Sequence, residues 1–233
     1  MTREEIWLFA PPLLEDFLYP PLAPAQLAGS LRSRSVPAVL RDLSLEAWES
    51  LMEEDVIRAA AGEAMQAIAA MEGDASLGGD REFRYLQFLP SACVSEQVRP
   101  VMDLKETQRR DFLDIFELFR GRLFSRFAPS AFEPARVAAG ESRFETLFPP
   151  GLSGDVSAAR PLITGISVLT FHNLEAALAL ARLVKKADPG TFLLLGGCYL
   201  GMLAQSEMRE ILRLPFVDAL LLGEGEEPLF LLY

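Results

Sequence analysis

The chain predicts an α/β fold built on a parallel sheet, and three observations carry that expectation. Short apolar runs at Ile163–Leu169, Thr191–Leu195 and Val217–Leu222 alternate with two helix-like segments, the rhythm of a doubly wound sheet. Two earlier apolar runs flank a helical stretch and add one strand–helix–strand unit. Each of the last three runs passes into polar or glycine-rich residues at its carboxyl end, where open α/β sheets bind ligands. Function is therefore expected in three short loops, Ser167–Asn173, Gly196–Gly201 and Gly223–Glu227.

The elements follow in order. Glu5–Ala10 is apolar and β-prone and stops at Pro11-Pro12, because proline cannot extend a ladder. Leu22–Arg34 reads as a helix, with Pro24 in its first turn and Leu22, Leu27 and Leu31 at helical spacing. Val36–Leu40 is the second strand, and Asp42 just beyond it is placed to cap a helix or to meet a ligand, capping being the usual role of such an aspartate. From Leu45 to Pro150 the character changes. Leu45–Met71 is rich in helix formers, Leu77–Asp80 is a turn, and Asp103–Phe127 carries Phe112, Ile115, Phe116, Phe119 and Leu123 on one helical stripe. That stripe reads as a face packed on a core, with a ligand-covering lid as the alternative. Leu162–Leu169 is the third strand, continuously apolar as expected of a strand covered on both faces. Asn173 is placed to cap the helix Leu174–Lys186, whose buried face is Leu174, Ala177, Leu178, Ala181 and Val184. Thr191–Leu195 is the fourth strand, Ser206 is placed to cap the helix Glu207–Leu214, Val217–Leu222 is the fifth strand, and a last helix begins near Glu227-Pro228.

Composition sets the bounds. The chain has 233 residues, half of them hydrophobic, which is enough for one large domain or for one domain with a sizeable insertion. A formal net charge of -11 argues against a general nucleic-acid binder, which needs a basic face to meet phosphates. The two cysteines, Cys93 and Cys198, lie far apart and match no disulfide framework, zinc site or iron–sulfur spacing. No secretory signal is seen, and no run reaches the roughly 18–20 apolar residues of a membrane helix. A cytoplasmic protein with no membrane partner is expected.

With these residues in place, the chain resembles the amino-terminal cobalamin-binding domain of cobalamin-dependent radical S-adenosylmethionine enzymes. The resemblance rests on Gly165–Thr170 with Asn173, on Ala176–Lys186 and Pro189, on Leu195-Gly196-Gly197, and on Val217-Asp218 with Gly223-Glu224-Gly225-Glu226. Pro11-Pro12, the Pro20–Leu31 stretch and Asp42 also fit. It covers residues 160–233 well and 5–42 weakly. The resemblance implies a corrin lying across the carboxyl edge of a five-stranded parallel sheet. The nucleotide tail would enter a pocket between sheet and helices lined by a Ser-x-Leu element, here Ser167-Val168-Leu169, and a Gly-Gly element, here Gly196-Gly197. A serine hydroxyl suits the tail's ring nitrogen, and glycines let backbone approach a bulky ligand. The implied cofactor contacts are Ser167, Leu169, Thr170, His172, Asn173, Gly196, Gly197, Gly223, Glu224 and Gly225.

Two departures shape what the resemblance implies. Family members that bind cobalt through histidine carry Asp-x-His-x-x-Gly after the first strand, whereas this chain has Phe9-Ala10-Pro11-Pro12. Cobalamin would then be bound base-off with no histidine ligand from that loop. The Cys-x3-Cys-x2-Cys motif that holds a [4Fe–4S] cluster is also missing, so no iron–sulfur cluster is expected on this chain. The expected partner is a radical S-adenosylmethionine domain or subunit carrying that cluster. The chain is then either a fragment of a longer enzyme or a free-standing cofactor protein, and the short last helix favours the fragment.

Individual residues keep plainer readings. His172, the single histidine, is a loop residue near the ligand or a cobalt or proton-transfer group; a lone histidine makes a poor metal site. Ser167 is a ligand contact or a strand-end serine bonding to backbone. Gly196-Gly197 serve ligand approach or merely turn the chain. Glu224 and Glu226 are an acid–base pair or, the preferred reading, residues flanking the positive end of the last helix. Cys198 reads as a buried, inert thiol, with no cation beside it in sequence. The expected architecture is a single domain over residues 1–233, a flavodoxin/Rossmann-like five-stranded parallel sheet of order 2-1-3-4-5 flanked by helices, with a mainly helical insertion over residues 45–150. Its function would be cofactor binding in a methyl-transferring or radical-generating system, without catalysis by this chain alone. The rival is a degenerate scaffold or protein-interaction subunit that keeps the fold but not the cofactor. A nucleotide- or flavin-binding domain is a weaker third reading, because no Gly-x-Gly-x-x-Gly follows the first strand.

Overall fold

The computed structural model describes residues 4–12, 21–51 and 134–233, with the backbone alone at 48–51, 143 and 172. The chain divides into two compact units, Met1–Trp48 with Ala128–Tyr233, and Glu49–Phe127. The fold of the first unit is described below. The aromatic stripe of Asp103–Phe127, the turn at Leu77–Asp80 and most of the expected insertion lie outside the described residues, as does Cys93.

Five parallel strands form one sheet in the order β2-β1-β3-β4-β5. They are β1 (Ile6–Ala10), β2 (Ala38–Asp42), β3 (Ile163–Ser167), β4 (Phe192–Gly196) and β5 (Ala219–Leu220). The helices are α1 (Leu22–Ser33), α2 (Leu43–Leu51), α3 (Pro134–Ala139), α4 (Leu152–Ala159), α5 (Leu174–Ala187), α6 (Gln205–Leu212) and α7 (Glu226–Leu232), with short 3-10 turns before α4, α5 and α6. This is the flavodoxin/Rossmann-like arrangement expected, with a helix directly after β2.

Register decides what each face of the sheet holds. Ile6, Ile163 and Phe192 sit side by side, then Leu8, Gly165 and Leu194 two residues further on. Side chains alternate along a strand, so these rows share a face. Ile6, Leu8, Ile163 and Leu194 join Ala28 and Leu31 of α1 and Leu229 of α7 in one apolar cluster. The opposite face carries Trp7, Phe9, Thr164, Ile166, Leu193 and Leu195, all buried, and α5 packs against β3 and β4. The expected apolar face of α5, Leu174, Ala177, Leu178, Ala181 and Val184, is at most 2% exposed. Burial of each large member stabilises by about 1.5–3 kcal/mol.

Polar ties fix the amino edge of the sheet. Lys185, in the last turn of α5, pairs with Asp218 at 2.6 Å and donates to the Thr191 carbonyl at 2.7 Å. The same Asp218 carboxylate accepts from the Leu193 N–H at 2.7 Å. The Thr164 and Thr191 hydroxyls meet at 2.9 Å inside the core, so neither is left unsatisfied.

Several boundaries differ from the sequence expectation. The second strand runs Ala38–Asp42 rather than Val36–Leu40. Pro37 has no N–H to give the ladder, and it enters only as an acceptor, taking the Ile6 N–H at 2.9 Å. At the strand's far end Arg41 stays in register, held by Glu46 at 2.6 Å and Asp155 at 3.0 Å; the Glu46 hydrogen bond, ahead of the opposing desolvation, pushes the guanidinium pKa up. The fifth strand shrinks to two residues. Val217 is buried outside the ladder, and Leu222 is 53% exposed beyond it. Helix α6 begins at Gln205 with Ala204 at its N-cap, not Ser206. The capping interaction comes from Glu207, whose carboxylate accepts the Ala204 N–H at 2.8 Å, half of a capping box.

Candidate functional site

The rows on the α1 side of the sheet lose bulk toward the carboxyl end. Leu8, Gly165 and Leu194 form one row, and Ser167 lies directly beside Gly196 in the next. Three small residues thus fall together where a core would need leucine or valine. The result is a cavity of about 540 Å³ between this part of the sheet, α1 and the segment leading into α7, within the roughly 300–1,000 Å³ of ordinary ligand pockets. Leu8, Leu27, Leu194, Leu221 and Leu229 supply apolar wall, and Gln26, Ser167, Cys198, Glu224 and Glu226 supply polar groups.

Glycines hold the space open and shape its rim. A Cβ on Gly165 would stand 2.9 Å from Leu8 Cδ2, and one on Gly225 3.0 Å from Leu27 Cδ2. Gly197 has φ 106, and a Cβ there would run into the Val168 carbonyl oxygen. Only glycine fits that position without strain. The turn it makes is tied to the loop after β3: the Val168 N–H donates to the Gly196 carbonyl at 2.6 Å, and the Tyr199 N–H to the Val168 carbonyl at 3.3 Å.

The expected contacts divide into two groups. Ser167, Gly196, Gly197, Gly223, Glu224 and Gly225 line the cavity. Leu169, Thr170, His172 and Asn173 are not among its lining residues and belong to the loop above it. Asn173 occupies the N-cap of α5 but makes no side-chain bond into that helix. Its carboxamide oxygen turns back to accept the Leu169 and Thr170 N–H groups, each at 3.1 Å, and so fixes the loop. The Thr170 hydroxyl is buried with no hydrogen-bond partner among the described residues. For His172 the structure gives only the backbone, within the 3-10 turn Phe171–Asn173. Asp42 takes its capping role: its carboxylate accepts from Ser44 N at 3.0 Å and Leu45 N at 3.3 Å.

Cys198 overturns its expectation. It is exposed and lines the cavity, with its thiol donating to the Leu169 carbonyl at 3.2 Å. The turn at Gly197 carries it out of the strand direction before the chain re-enters the core at Leu200. Sequence reasoning also missed α1, which contributes Ala23, Pro24, Gln26 and Leu27 to the wall. The signal was faint: a helix that follows the first strand covers the face on which that strand's carboxyl end opens.

Large apolar side chains stand exposed on the same edge. Leu169 (46%), Phe171 (39%), Met202 (77%) and Leu222 (53%) belong to the loops after β3, β4 and β5, and Met202 and Leu222 directly adjoin lining residues in sequence. Phe171 and Tyr199 rings lie 6.4 Å apart there. Among the described residues no group of three or more His, Cys, Asp or Glu is placed to hold a metal ion, and no helix is long and apolar enough to cross a membrane.

Fold and site together define a class: a doubly wound α/β domain with a small-residue cavity under the carboxyl edge of its sheet. No family model, curated protein or solved structure matches the chain.

Proposed function

We propose that this domain binds cobalamin, base-off, as the cofactor module of a cytoplasmic radical S-adenosylmethionine system. One observation supports the reading above the others. Ser167 and Gly196, the elements that the resemblance assigns to the nucleotide-tail pocket, are register neighbours on the wall of a 540 Å³ cavity between sheet and helices.

The residues present fit the group. The cavity suits a flat heteroaromatic base with its sugar rather than a whole corrin, and its leucine walls suit such a base. Ser167 sits on the wall with a hydroxyl able to donate to a ring nitrogen. Leu169, Phe171, Met202 and Leu222 offer apolar surface on the edge where the corrin would rest. The loop after β1, with Pro11-Pro12, brings no histidine to the cobalt. When bound, the corrin would supply a transferable methyl group or a cobalt redox centre. The chain's own contribution is to bind, orient and bury the tail. The cluster-bearing domain would come from elsewhere, because Cys93 and Cys198 cannot hold a [4Fe–4S] cluster.

The same exposed apolar edge is what a protein-interaction subunit would present, so the scaffold reading remains the rival. A visible-absorption titration with hydroxocobalamin and methylcobalamin, followed by desalting, separates the two. Retained corrin with a base-off spectrum supports the proposal; loss of all corrin at tens of micromolar removes it and leaves the scaffold.

A further inference from the structure

The cavity has one weakly held wall. Its floor is β-sheet, one side is α1, the loop after β4 adds Gly197, Cys198 and Gly201, and a further side is the segment Leu221–Leu229. That segment hangs from β5, the shortest strand, and its last backbone hydrogen bond to the sheet is Leu221 N–H to the Leu195 carbonyl at 2.8 Å. Gly223 follows with φ 84, and a Cβ there would meet nothing within 4 Å. It is a positive-φ glycine in open space, a position where the chain can pivot.

Beyond this glycine, the polar contacts of α7 are to α1, while Leu229 joins Ile6, Leu8, Ile163 and Leu194 of the sheet in the apolar cluster. Gln26 donates to the Glu226 carboxylate at 2.7 Å, and Arg34 pairs with Glu227 at 2.6 Å. Both contacts are exposed. The Arg34 guanidinium also lies 4.6 Å from the Phe230 ring centroid. Leu229 alone of the helix is a fully buried anchor. Exposed ion pairs and cation–π contacts are each weak, so this fastening opens more readily than the strands around it.

We propose that α7 is a gate for the cavity, pivoting at Gly223 and latched by Arg34. Opening it would uncover Gly225, Glu226 and Leu229, which line the wall, and give a bulky ligand a wider side-on entry. The inference concerns the regulation of the site proposed above, and its ligand arm rests on that reading. Its structural arm does not.

Amide hydrogen exchange on the full chain tests the gate. Leu229 N–H and Tyr233 N–H, bonded within α7 at 3.0 and 3.2 Å, should exchange by local opening, well ahead of the β3 and β4 amides. Arg34→Ala should speed the α7 amides about threefold to tenfold and leave β3 and β4 unchanged. Glu227→Gln, which spares the Phe230 contact, should give a smaller change in the same direction. Exchange of α7 together with the sheet, or no response to either variant, overturns the gate. In stopped-flow with aquacobalamin, Arg34→Ala should raise association and dissociation rates by a similar factor at unchanged Kd; unaltered rates also overturn the gate. If no corrinoid binds at all, the cofactor reading fails, while the exchange data still decide the gate.

Discussion

The two faces of the sheet are made by the same five strands and are filled in opposite ways. On the α5 side, Ile166, Leu193 and Leu195 are 0–1% exposed and lie under a helix whose inner face is equally buried. On the α1 side, the rows step from Ile6 and Ile163 through Leu8, Gly165 and Leu194 to Ser167 and Gly196, and a cavity opens. Close packing to the density of a crystal is the default for an interior. A face that abandons it over three adjacent small residues forgoes stability there, and ligand binding is the function that such space serves.

This contrast can be broken in graded steps. The largest loss should come from the filled face. Leu178→Ala removes a fully buried side chain and should cost about 2–5 kcal/mol in urea unfolding, with ligand affinity per folded molecule unchanged. Gly197→Ala should cost about 1–3 kcal/mol, since it forces a left-handed φ and a clash with the Val168 carbonyl. Gly196→Leu should behave differently. A Cβ at Gly196 meets only Leu221 atoms at 3.8 Å or more, so unfolding free energy should move by about 1 kcal/mol or less. The added side chain enters the cavity, and corrinoid affinity should fall at least about tenfold, or 1.4 kcal/mol. The smallest effect belongs to Ser167→Ala: about threefold to tenfold weaker binding, the worth of one neutral hydrogen bond, with no change in the unfolding midpoint. Equal binding by wild type and Ser167→Ala would remove that hydroxyl from the site.

Much of the filled face was legible in the sequence, and the hollow face was not. The α5 stripe is a local pattern, five residues at helical spacing, and all five are buried as expected. The parallel sheet follows from the alternation of apolar runs with helices, whereas the order 2-1-3-4-5 was an expectation that came with the resemblance. The edge strands were read less well, because a strand with one neighbour is bounded by pairing rather than by hydropathy: Val217 and Leu222 are apolar yet outside the β5 ladder. The cavity depends on Gly165, Ser167 and Gly196 meeting across two strands, and no single window of sequence contains that coincidence. Ser167, Gly196 and Gly223 were singled out for their place at strand ends, but the part played by Pro24, Gln26 and Leu27 appears only once α1 lies over the sheet. Cys198 was misjudged for a similar reason: the positive φ of Gly197 redirects the chain, and neighbours in sequence give no hint of it.

The central claim is that the hollow face is a cobalamin site. Its most direct test is a paired absorption titration of wild type and Gly196→Leu with hydroxocobalamin, each checked for folding by circular dichroism. The account predicts a base-off corrin spectrum retained through desalting by wild type and lost by the folded variant. Equal retention by both, or none by either, would contradict it.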